Sequence, residues 1–109
     1  MKNAFEIGVA FLCLVAISAG SLFYVNHQGW TLYYGDAEAH LNIARRVMDS
    51  RTPGYDQLGT SWLPLPHVLT LALVNNDRLW LNGLAGAIPS AACYIIGQTA
   101  SATVRRASR

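Results

Sequence analysis

Asp36, Glu38 and His40 stand at alternate positions in YYGDAEAHLNIARR, residues 33–46, and Arg45 and Arg46 follow at once. A carboxylate of this kind can act as a general base, taking the proton from a hydroxyl as its oxygen attacks an electrophile. On a helix Asp36 and His40 lie one turn apart and share a face, whereas Glu38 projects elsewhere. An Asp–His pair can also contribute to a divalent-metal site, although two ligands do not complete one. Arg45 and Arg46 have the guanidinium geometry that binds phosphate oxygens in pairs. His67 is the further candidate for a ligand or proton carrier. The structural alternatives are as concrete. An Asp directly before a helical pattern is a good N-cap, and Glu38 in the first turn favours the helix dipole. The arginines suit lipid headgroups or surface ion pairs, and His67 suits interface packing. Capping and catalysis by Asp36 are compatible.

The segments that must position this cluster are apolar. The 109 residues are 52% hydrophobic and only 13% charged, and the two classes are segregated. Residues 7–25 carry no charge. As a helix they span roughly 28 Å, about one hydrocarbon core. Residues 79–104 are also uncharged, less oily, and long enough to cross with some tilt. The pattern predicts an all-α membrane protein. Two transmembrane helices, 7–25 and 79–104, are joined by an external loop, 26–78, that bears two short juxtamembrane helices.

Charge sets the orientation of that scheme. The loop carries four arginines against five acids, whereas Arg105, Arg106 and Arg109 end the chain without an acid. By the positive-inside rule the chain is a multi-pass protein of the cell inner (plasma) membrane with both termini cytoplasmic. No basic patch is interleaved with stacking aromatics, so nucleic acid is not an expected partner. Cys13 and Cys93 lie in the apolar runs and read as small buried hydrophobes outside any disulfide framework. A cleavable signal peptide is the rival reading of the first run. Its 19 uncharged residues and its continuation through Leu22, Phe23, Tyr24 and Val25 favour a span.

Within the loop, Trp30, Tyr33, Tyr34 and Trp62, together with Trp80, suit a membrane interface. Ala37, Leu41, Ala44 and Met48 form one stripe, widened by Ile43 and Val47. They predict an amphipathic helix over 37–50, lying along the outer membrane surface and stopped by Pro53–Gly54. Residues 55–63 read as irregular. Pro66 fits the first turn of a second short helix, 66–74, too short to span. Asn75-Asn76-Asp77 then breaks the chain and offers caps. In the second span Gly83, Ala87 and Ala91 recur every four residues, with Gly86 and Ser90 beside them, a face suited to close helix approach. Pro89 is expected to kink that helix.

This order of features resembles the N-terminus of GT-C-type membrane glycosyltransferases, of the bacterial protein-mannosyltransferase-like and aminoarabinose-transferase-like group. The matching pieces are GDAEAHLNIARRVMDS and WLPLPHVL. The resemblance covers nearly the whole chain but about a quarter or less of such an enzyme. It implies an inverting transfer of sugar from a polyprenyl-phosphate-linked donor to an acceptor hydroxyl, with Asp36 in the place of the catalytic aspartate. Many members have the two acids adjacent; here Ala37 separates Asp36 from Glu38. Around Asp36, the residues Glu38, His40 and His67 are candidates for an acceptor or divalent-metal site, and Arg45 and Arg46 for the donor phosphate.

Two spans cannot enclose acceptor, donor phosphate and lipid tail together. The expectation is therefore a fragment or one piece of an enzyme, inactive alone, partnered by the bilayer and by further transmembrane helices or a subunit. The competing expectation is a small two-span membrane protein without catalytic activity.

Overall fold

The computed structural model describes residues 2–58 and 64–108, and the described residues are helical without strands. The helices are α1 (Lys2–His27), α2 (Gly35–Arg46), α3 (Leu65–Val74), α4 (Asp77–Leu81) and α5 (Leu84–Ala107), with a 3-10 helix at Tyr55–Leu58. The expected position of Trp62 and the end of the 55–63 segment lie outside the described residues.

The first apolar run forms α1, which is long and apolar enough to cross a membrane. It contains the whole of 7–25 and presents large apolar side chains outward, among them Phe5, Leu12, Ile17 and Phe23. In water such a surface would be unfavourable by about 25 cal/mol for each Å² left exposed. A lipid phase removes that cost.

The second run does not form one helix from 79 to 104. It is divided by Asn82 and Gly83 into α4 and α5. Gly83 adopts φ 79°, a left-handed conformation that side chains with a Cβ avoid. Asn82 Oδ1 accepts from the Leu84 N–H at 3.0 Å, so it satisfies one of the free donors at the start of α5. Gly83 thus belongs to the break rather than to the small-residue face. Gly86 does serve that face, since its Cα side lies against Leu41 of α2. Pro89 sits inside α5, which continues through it to Ala107.

The loop helices follow their local signals closely. Pro66 occupies the first turn of α3. Asn76 caps α4, with its Oδ1 accepting from the N–H groups of Arg78 and Leu79 at 3.0 and 3.2 Å. Helix α2 ends at Arg46, short of the predicted residue 50, and a turn returns the chain through the bond from Gly54 N–H to Val47 O at 2.9 Å.

The amphipathic stripe of α2 turns inward. Leu41 and Ala44 join Val74 of α3 and Ala85 of α5 in the core, with Leu32, Leu71, Leu79 and Trp80 packed around them. Met48 falls beyond the helix and is exposed. The expectation of a helix lying flat on lipid through this stripe is therefore corrected: α3 and α5 cover it. Pairwise packing among α2, α3 and the start of α5 buries those side chains more completely than an interface could. Cys13 and Cys93 are free thiols and exposed on the chain, not buried in it.

Helices α1 and α5 pack side by side and antiparallel. Ile7, Phe11 and Leu14 face Thr99 and Ala102, and Arg106 Nη2 reaches Glu6 Oε2 at 3.1 Å.

Candidate functional site

Helices α2, α3 and α5 enclose an open cleft of about 410 Å³. Its walls are mainly apolar, from Leu41, Leu69, Pro66, Gly86, Ala87 and Pro89, and Tyr34 and His40 stand among its few polar groups. Cys93 also lines it. The small residues of α5 matter here, because the space exists where larger side chains would have filled it.

Asp36 lies in the first turn of α2, beside the cleft residues Tyr34 and Ala37. It is not the N-cap. The chain turns into the helix two residues earlier, Tyr34 takes the cap position, and its side chain makes no capping bond. The Asp36 carboxylate is exposed and accepts a hydrogen bond from Tyr34 Oη at 3.1 Å. That bond, and the negative charge behind it, push the Tyr34 phenol above its ordinary value. The capping role predicted for Asp36 is replaced by a dipole role. Its charge and that of Glu38 sit at the positive end of α2. Glu38 is exposed.

His40 and His67 come together, although 27 residues separate them. His40 Nδ1 lies 2.8 Å from His67 Nε2, with the ring centroids 5.0 Å apart and the planes tilted by 33°. His67 is fully buried, and its Nδ1 has no hydrogen-bond partner among the described residues. Burial, and then the neighbouring His40, lower the pKa of His67 below the ordinary histidine value. A buried imidazole with one orphan nitrogen is least costly when that nitrogen carries only a lone pair, since orphan buried N–H groups are rare. This argument puts the proton of His67 on Nε2, where it donates to His40 Nδ1. Among the described residues, no three His, Cys, Asp or Glu side chains are placed to hold a metal ion.

The two arginines part company. Arg45 Nη1 donates to Val74 O and Nη2 to Asp77 Oδ1, both at 2.6 Å. Its Nε lies 3.6 Å from Asp49, and its guanidinium sits 4.7 Å from the Trp80 ring centre. Asp77 raises the already high pKa of Arg45. Arg45 thus ties α2 to the end of α3 and to α4, which occupies the donors a phosphate would need. Arg46 is exposed and makes no ion pair among the described residues. Arg45→Met should lower the thermal unfolding midpoint by several degrees, because it leaves the buried Val74 carbonyl without its donor. Arg46→Met should stay within about 0.5 kcal/mol of the parent in the same scan.

The resemblance put His40 and His67, with Glu38, in one candidate acceptor or metal site, whereas helical spacing paired His40 with Asp36 and gave no contact between the two histidines. Sequence reasoning placed Tyr34 at the membrane interface instead of on Asp36. A spacing rule reaches one turn along a helix, so it could suggest the Tyr34–Asp36 neighbourhood but not a contact between helices. Comparison of the chain with protein-family models, curated proteins and solved structures found no match.

Proposed function

We propose that this chain forms the entry portion of a membrane glycosyltransferase that moves sugar from a polyprenyl-phosphate-linked donor to a hydroxyl acceptor. The observation that carries the reading is the exposed Asp36 carboxylate beside an apolar cleft walled by α2, α3 and α5. The cleft offers low-polarity walls to a lipid-borne substrate, and the carboxylate is free to take the acceptor proton. Tyr34, bonded to Asp36, orients it. Arg46 is the arginine left for a donor phosphate, since Arg45 is engaged inside the loop. The cleft is open on one side, so further helices of the enzyme or a partner subunit complete it in this proposal.

In the same reading α5 is a second crossing beside α1. Its 24 residues span about 36 Å. Its polar side chains are not a strong objection. Ser90, Thr99 and Thr103 donate to the carbonyls of Gly86, Ile95 and Thr99 at 2.8–3.0 Å, so their hydroxyls are satisfied within the helix. The Glu6–Arg106 pair brings the start of α1 and the end of α5 together, and Arg105 and Arg106 then favour the cytoplasmic side for both. Single cysteines at Ala4 and Ala107, in a background with Cys13 and Cys93 replaced by Ala, should both react with a membrane-impermeant maleimide from the cytoplasmic side. Labelling from opposite sides would end the two-span arrangement.

The enzymatic reading is tested by sugar transfer in membranes carrying the complete protein, as wild type and as Asp36→Asn. Equal rates would remove Asp36 from catalysis. Absence of transfer with every polyprenyl-phosphate sugar offered to the wild type would favour a non-catalytic membrane protein.

A further inference from the structure

We propose that His40 and His67 form a pH-operated latch between α2 and α3, one that holds the first half of α2 against α3 while at most one ring is charged and releases it when both are. The latch concerns the conformation of the loop and stands whether or not the protein transfers sugar.

The geometry makes the hydrogen bond depend on proton count. The two facing nitrogens are 2.8 Å apart, which requires one N–H and one lone pair between them. Two neutral rings supply that combination. A single added proton also permits it, with the charged ring donating to the neutral one. Two added protons do not, because every ring nitrogen then carries a hydrogen. The facing groups become two donors, and two cations lie with centroids 5.0 Å apart around a buried ring. Charge on His67 is opposed by its burial, and a like charge on the neighbouring ring opposes it again.

On α2 the other charged groups are Asp36 and Glu38, toward its start, and Arg45 and Arg46 at its end. Arg45 is already bonded to Asp77 and Val74. Helix α3 contributes no titratable side chain besides His67. Helix α5 brings Cys93, and the chain before α2 brings Tyr34, to the same cleft. The 3-10 helix packed on α2 carries Tyr55 and Asp56. None of these replaces the Nδ1–Nε2 link. Its loss frees the part of the α2 wall that carries Ala37 and His40 from the α3 wall at Leu69 and Thr70, while Arg45 and the packing of Leu41 and Ala44 on Val74 hold the far ends of the two helices together.

The sign follows from His67. Its pKa is lowered in the fold, so the unfolded chain binds more protons as pH falls through the ordinary value of 6.5. The contribution of His67 is complete above that value and declines below it.

The test is amide hydrogen exchange of the full chain in lipid nanodiscs at about pH 7.5 and about pH 5, corrected for intrinsic exchange, with ring protonation followed by ¹⁵N NMR. In the wild type, protection of α2 should fall about tenfold or more as both rings become charged. In the His40→Asn/His67→Gln double variant, side-chain amides stand in for the facing nitrogens and cannot titrate in this range. Its α2 protection should be the same at both pH values. Three results overturn the latch: α2 stays protected in the wild type while both rings are charged, the two rings are not both charged by the lower pH, or the double variant loses protection as the wild type does. Should the double variant not fold, the wild-type measurements decide alone.

Discussion

On the proposed function, Asp36→Asn should reduce sugar transfer about 10²–10⁴-fold, the usual range for loss of a general acid or base. Asn keeps the size of the side chain and can still accept from Tyr34 Oη, but its amide has no useful basicity. The same substitution should change stability by less than about 1 kcal/mol, since an exposed charge in the first turn of a helix contributes only that much. The two readouts separate because Asp36 does not cap α2. Had it been the N-cap, folding and activity would have been coupled at one residue. The measurement is initial-rate transfer from a labelled polyprenyl-phosphate sugar, normalised to protein in the membrane, with thermal unfolding in parallel. A large loss of stability, with a rate that falls only in proportion, would return Asp36 to a structural role.

A second large effect is expected at the α4–α5 break. Gly83→Ala should destabilise the chain by about 2–3 kcal/mol, combining left-handed backbone strain with overpacking. The added Cβ would lie 2.8 Å from Leu32 Cδ2, 2.9 Å from Leu32 Cγ and 3.1 Å from Thr31 Cβ. Leu32 is packed against the core, so it has little room to withdraw. Three residues along, Gly86→Ala should have the opposite sign. Its Cβ would meet Leu41 Cδ2 at 3.4 Å, an ordinary contact, and Gly86 is inside α5. Replacing a helical glycine there should stabilise by up to about 1 kcal/mol. Unfolding curves of the two single variants in one detergent check the pair. Equal effects of the same sign would mean that Gly83 is not a left-handed break.

The two glycines show how local and tertiary information divide. Both fit the small-residue spacing, and spacing alone assigned both to one helix face. Asn82-Gly83 is also a turn signal, which the reading of 79–104 as one span did not use. Only the packing of Leu32 beneath Gly83 and of Leu41 beneath Gly86 gives each its own role.

What the sequence determined by itself is local. Uncharged length made α1, Pro66 started α3, and Asn76 capped α4, because each effect acts within a turn or two of the chain. The place of Asp36 was also legible, since a Gly-Asp pair before a helical pattern puts a carboxylate at a helix start. The tertiary structure decided the rest. It turned the Leu41–Ala44 stripe of α2 toward Val74 and Ala85, took Arg45 for Asp77 and Val74, and joined His40 to His67. Those outcomes depend on distances between helices about 30 residues apart. No periodicity encodes such distances, because they are set by which faces pack together and what space remains between them.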